Sequence, residues 1–128
     1  MDVTKATKAS VWNGTNPVLM ARIRSAAAAL ITQASLTAIK YSSRVVDAPD
    51  TEIAGATLTI ADVIFDELQT DSRWTADSTG YNFRYTLPAA AIPTGDTTYA
   101  VHFEFTAADG SKFYVEFLLN TRKHHAFA

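Results

Sequence analysis

At 128 residues, with 48% hydrophobic and 19% charged side chains, the chain has room for one packed core and not for two. A formal charge of -2 at pH 7 gives no long-range attraction to phosphate backbones or anionic lipid, so neither nucleic acid nor a membrane surface is expected as a partner. The absence of cysteine excludes disulfides and thiolate metal sites. Packing alone must hold the fold, which suits a protein of the cytosol or one assembled there.

Residues 1–16 are rich in Thr, Lys, Ser and Asn and read as an N-terminal arm, with Asn13-Gly14 as a turn. Residues 1–5 lack a charged stretch followed by a long apolar one, and the longest apolar run, residues 26–31, is too short to cross a bilayer. No signal peptide or transmembrane segment is therefore expected. Residues 18–24 alternate as a strand does. Residues 25–31 combine alanine-driven helix propensity with β-branched followers, and periodicity leaves helix and strand both open.

Residues 36–46 read as a strand stopped by a turn at Asp47-Ala48-Pro49-Asp50, because proline has no amide hydrogen for a ladder. Another strand follows over residues 53–60. From Ile60 the apolar positions Ile60, Val63, Ile64 and Leu68 recur every three to four residues, which predicts a short helix or helical crossover with Trp74 packed over the core beside it. Tyr81, Phe83 and Tyr85 then alternate with polar residues up to Pro88. A last hairpin sets Tyr99, Val101, Phe103 and Phe105 against Phe113, Val115, Phe117 and Leu119 around Asp109-Gly110.

Short strands with one helical interruption predict a mainly β fold, an antiparallel β-sandwich over residues 17–121 followed by a tail over residues 122–128. Tyr99, entering a strand after the Pro93-to-Gly95 corner, resembles the tyrosine corner of immunoglobulin-like domains, which makes the sandwich Ig-like. The Cys, Trp, Cys hallmark of those domains is missing.

Chemistry-bearing patterns are sparse. His124 and His125 in the basic tail are too few for a zinc site. The carboxylates at Asp47, Asp50, Asp71 and Asp77 lie in loops without the order of a calcium-binding EF-hand, and read as turn and cap residues. The five glycines are scattered, so no phosphate loop exists, and there is no Gly-x-Ser-x-Gly elbow. His102 with Glu104 or Glu116 is the one pairing that catalysis could use, and a cross-strand surface contact is the better account of His102. No cofactor, metal or catalytic residue is expected, and binding or assembly is favoured over an enzyme.

For partner contacts, Arg73, Trp74 and Arg84 stand out, because Trp and Arg dominate interface hot spots and these cluster with Tyr81 around one loop. Residue by residue, Trp74, Tyr81 and Phe83 are more often core than contact residues, which leaves Arg73 and Arg84 as the partner candidates of this loop. Arg22 and Arg24, with Lys5 and Lys8, add a modest basic patch near the N-terminus.

The strand at Pro17 to Ile23, the strand ending Ile39-Lys40-Tyr41, the stretch from Ile60 to Thr70 with Trp74, and the block Gly80-Tyr81-Asn82-Phe83-Arg84 together resemble small Ig-like proteins encoded among phage structural genes. The order of a corner, a Tyr-bearing strand at Tyr99 and a closing hairpin at Asp109-Gly110 is similar to the N-terminal domain of phage upper-baseplate proteins. The resemblance covers about residues 17–121. It implies a protein of the virion, in a baseplate, tail, head-tail junction or capsid-decoration position, that joins copies of itself and other virion proteins through sheet edges and terminal arms. A stand-alone ligand-binding module, for carbohydrate for instance, is the alternative and would expose rings such as Trp74 or Tyr114.

Overall fold

The computed structural model describes residues 2–5 and 10–123. Among these, strands β1 (Asp2–Lys5), β3 (Val18–Arg24), β7 (Tyr81–Thr86) and β6 (Ile64–Gln69) form one sheet in that spatial order. Strands β2 (Ser10–Trp12), β9 (Lys112–Arg122), β8 (Thr98–Ala107), β4 (Leu36–Val45) and β5 (Ala48–Leu58) form the other. The pairings are antiparallel except for β2 beside β9, which run parallel. With the strands lettered A, A′, B, C, C′, D, E, F and G in chain order, the sheets are ABED and A′GFCC′, the pairing order of an immunoglobulin sandwich.

The alternation of β8 and β9 fixes the core. Their hairpin holds register from Thr98↔Asn120 to Thr106↔Lys112 and turns on Gly110, whose φ of 88° suits glycine. Val101, Phe103 and Phe105 face Val115, Phe117 and Leu119 inside the sandwich. Phe83 of β7 closes on this layer, with ring centroids 5.0 Å from Phe103, 5.8 Å from Phe105 and 6.4 Å from Phe117. Each such ring contributes about 1.5–3 kcal/mol by leaving water. The Tyr99 hydroxyl accepts the backbone N–H of Thr94 at 3.0 Å, the geometry of a tyrosine corner. Two residues on, where antibody domains carry a disulfide cysteine, the buried Val101 supplies packing instead.

Several expectations change. Within the arm expected over residues 1–16, β1 pairs with β3 and β2 with β9, so the described parts of this segment belong to both sheets. The helical reading from Ile60 holds for one turn, α1 (Ile60–Val63), after which the chain becomes β6 because Ile64 pairs with Phe83. The turn expected over residues 47–50 is tighter: Pro49 and Asp50 already lie in β5, an edge position that tolerates proline. Residues 25–31 are neither helix nor regular strand, but a turn that puts Ala28 at φ 65° and bridges Arg24 to Leu30. Tyr81 parts from Phe83 and Tyr85 and packs in a separate cluster with Trp74 and Met20. Between them Asn82 is fully buried, accepting the N–H of Ile23 and donating to the carbonyls of Ile23 and Ile31.

Candidate functional site

The loop between β6 and β7 folds back over the outer face of the four-stranded sheet. Gly80 permits this return: its φ is 105°, and a Cβ there would lie 2.3 Å from the carbonyl oxygen of Gln69. The loop delivers Trp74, 6% exposed, against Met20 and Tyr81, with Val18 and Phe65 around them. Two aspartates tie it down. Asp77 pairs with Arg22 at 2.8 Å and accepts the Trp74 Nε1–H at 2.9 Å, while Asp71 pairs with Arg73 at 3.0 Å and accepts the Tyr81 hydroxyl at 2.7 Å. Hydrogen bonds from Arg22 and then Trp74 hold the Asp77 carboxyl well below the usual carboxylate range, and those from Arg73 and then Tyr81 do the same for Asp71. Burial, followed by the bond to Asp71, raises the Tyr81 phenol.

The structure therefore gathers four of the five residues expected to meet partners into one patch, and it engages each within the chain. The Arg22 side chain is 12% exposed, also donates to the Gly80 carbonyl at 3.0 Å, and lies over the Trp74 ring. Arg84 donates to the Tyr81 hydroxyl at 3.2 Å and sits 5.0 Å above the centre of the Phe65 ring. Arg73 is the most open of them, its side chain 48% exposed beside Asp71. Arg24 stands apart and donates to the carbonyl of Ala28 at 3.2 Å. Lys5 does not join a basic patch with these; its ammonium donates to the Glu116 carbonyl at 2.9 Å. Lys8, His124 and His125 lie outside the described residues.

The outer face of the five-stranded sheet carries the remaining polar chemistry. His102 is paired across the strands with Glu116, while Glu104 takes Lys40 at 3.5 Å, Lys112 at 3.4 Å and the Tyr114 hydroxyl at 3.2 Å. Ser42, which the sequence did not single out, stands on the other side of His102 and completes a Ser-His-Glu row. Its Oγ accepts the Nε–H of Arg44 at 3.0 Å, and His102 makes its hydrogen bond to Glu116. A nucleophile-to-base bond, which a triad requires, is not among the hydrogen bonds of the described residues. Of the two rings named for a ligand-binding module, Tyr114 is 59% exposed and Trp74 is buried, so Trp74 offers no stacking platform.

The sheet edges differ greatly. β1 has four residues, β2 three, and β6 six with an irregular register, all of which blunt an edge. β5 has eleven, is hydrogen-bonded to β4 on one side, and is exposed along its length except at the half-buried Ala54 and Leu58. Its first half is guarded by Pro49, Asp50, Glu52 and register shifts opposite Arg44 and Val45. Its second half, residues 53–58, has no charge and no proline, and pairs regularly from Ala54↔Ser43 to Leu58↔Ile39. Sequence patterning could not show this, because period-2 alternation reports burial of a face and not which strand ends a sheet.

An open cleft of about 640 Å³ lies between β2, the start of β3 and the loop at Arg73, with Val11, Pro17, Val18 and Met20 in its apolar lining. On its rim Trp12 is 47% exposed, with the Arg122 guanidinium 5.0 Å from the ring centre. Among the described residues no group of three or more His, Asp or Glu is placed to hold a metal ion, and no helix is long and apolar enough to cross a membrane. No protein-family model, curated protein or solved structure matches the chain.

Proposed function

We propose that this chain is a non-enzymatic structural protein that assembles through its sheet edges, with copies of itself and with other proteins of a tailed-phage particle. The observation that carries the assembly reading is β5, an eleven-residue edge strand whose second half contains no charged residue or proline, with the Glu52 carboxylate reaching over it only at Gly55. Such an edge presents a row of backbone donors and acceptors ready for another strand, and the stabilising bonds need no matched side chains. The particle setting follows from the order of parts that resembles phage structural proteins, and its finer position, whether baseplate, tail, head-tail junction or capsid decoration, is part of the same proposal.

Light scattering across a hundredfold range of concentration tests assembly. Wild-type protein is expected to gain mass as concentration rises, and the double variant Ile53→Lys/Thr57→Lys, which charges two exposed positions of β5, is expected to stay monomeric. A wild-type mass that remains monomeric throughout, or an oligomer that the double variant retains, contradicts the proposal.

A further inference from the structure

We propose that the cleft between β2, the start of β3 and the loop at Arg73 is a binding site for a neutral carbohydrate, with the Trp12 indole as the surface on which a sugar ring stacks. β2 and β5 end the five-stranded sheet on opposite sides, so this site is separate from the edge that carries the assembly reading. Three features of the cleft carry the proposal.

The first is the ring. Trp12 lines the cleft and is 47% exposed. Its backbone is held in place: Trp12 pairs with Arg122 in the parallel ladder, the Asn13 N–H donates to the Arg122 carbonyl at 3.1 Å, and the Thr15 hydroxyl donates to the Trp12 carbonyl at 2.6 Å. The Arg122 guanidinium stands over one face of the indole, 5.0 Å from its centre, which leaves the opposite face for a ligand. A ring fixed in this way loses little freedom on binding. The weakly positive C–H groups on one side of a pyranose complement the electron-rich face of an indole.

The second is the polar lining. Ser10, Ser72 and Thr75 are exposed, and among the described residues their hydroxyls have no hydrogen-bond partner. Asn16 donates its amide to the Leu87 carbonyl at 2.9 Å and keeps its side-chain oxygen unengaged. A hydroxyl both donates and accepts, so these groups suit a ligand whose own groups do the same. The apolar part of the lining, Val11, Pro17, Val18 and Met20, adds surface that gains from leaving water. A ring with a C–H face and a hydroxyl perimeter uses both kinds of contact.

The third is charge. Arg73 is the one charged residue among the described residues that line the cleft, and Asp71 balances it by accepting from Nε at 3.3 Å and from Nη2 at 3.0 Å. The lining therefore presents no unbalanced charge to a ligand, and a neutral ligand leaves none of its own unpaired on entering. The volume of about 640 Å³ falls within the roughly 300–1,000 Å³ of small-molecule sites. An open cleft of this kind binds weakly in a single copy, and copies gathered in the assembly proposed above would hold a repeating glycan by avidity.

Nitrogen-15 NMR on dilute protein tests the site in a single copy, apart from assembly. Trp12 and Trp74 are the only tryptophans, and the Trp74 indole N–H, bonded to Asp77, serves as an internal reference. Cellopentaose, maltopentaose and penta-N-acetylchitopentaose are titrated in turn, with an oligogalacturonate as the acidic comparison. At least one neutral oligosaccharide is expected to shift the Trp12 indole and the amides of Ser72 and Thr75 while the Trp74 indole stays in place. Trp12→Ala is expected to weaken that binding about tenfold, and Trp12→Phe, which keeps an aromatic face, to retain most of it. An unchanged Trp74 signal in both variants shows that the fold is intact. No shift at the Trp12 indole with any neutral oligosaccharide, undiminished binding by Trp12→Ala, or binding of the oligogalacturonate alone, drawn by Arg122, would overturn the proposal. Each of these outcomes leaves the β5 reading to its own light-scattering test.

Discussion

The outer face of the four-stranded sheet and the β5 edge of the five-stranded sheet treat polar groups in opposite ways. On the first, the loop at residues 71–80 brings two carboxylates and an indole onto the sheet, where Asp71 binds Arg73 and the Tyr81 phenol of β7, and Asp77 binds Arg22 and Trp74. On the second, the outward backbone groups of β5 have no neighbouring strand among the described residues. Residue types typical of interfaces occupy the closed region, and small, chemically plain residues occupy the open one. Composition suggests where binding energy could come from, and only topology shows which groups remain available for it.

The largest expected effect tests the closed region. Trp74→Ala removes a ring that is 6% exposed and leaves Asp77 without one donor, so it should cost about 3 kcal/mol in urea unfolding, near the lower end for buried aromatics. A loss under about 1 kcal/mol would show that the loop does not close over the sheet. Asn82→Ala strands the N–H and carbonyl of Ile23 and the carbonyl of Ile31, and about 2–3 kcal/mol should be lost for those buried groups. This change lies beneath the loop, so comparing it with Trp74→Ala separates the support of β3 and β7 from the closure above them.

Acid sharpens the same contrast. Folding lowers the Asp71 and Asp77 carboxyls from 3.8, so their contributions are full above pH 4 and are lost as pH falls through the depressed folded values. Stability of the wild type should therefore fall below pH 4, and Asp71→Asn/Asp77→Asn should show a shallower fall over that window. Equal acid sensitivity in both proteins would remove these carboxylates from the account. The smallest effect on stability belongs to the open region, where Ile53→Lys and Thr57→Lys should each change unfolding free energy by no more than about 0.5 kcal/mol, as exposed substitutions do, while their effect on association is large.

The parts of the fold that could be read from sequence are those where one face is apolar and the other wet. β8 and β9 declare themselves through eight alternating core residues, and Tyr99 announces its corner because a proline and a glycine precede it. β6 was hidden because Ile60, Val63 and Ile64 satisfy helical spacing, and a long-range pairing with Phe83 overrides that local pattern. Tyr81 misleads for a related reason: alternation puts it with Phe83, but the buried amide of Asn82 and the irregular register of β6 place it under Trp74. Arg73, Trp74 and Arg84 were legible as a group, but Arg22 was placed in a separate basic patch, and the carboxylates that engage Arg22, Arg73 and Trp74 were read only as turn residues. The open edge of β5 was illegible, since no local pattern records which neighbour a strand lacks.

The most direct test of the central claim is amide hydrogen exchange measured on dilute and on concentrated protein, comparing residues 53–58 with residues 71–80. Protection that rises with concentration along β5 and stays constant in the loop is the predicted result. Protection that rises in the loop while β5 is unchanged would contradict the account and move the association surface to the opposite sheet.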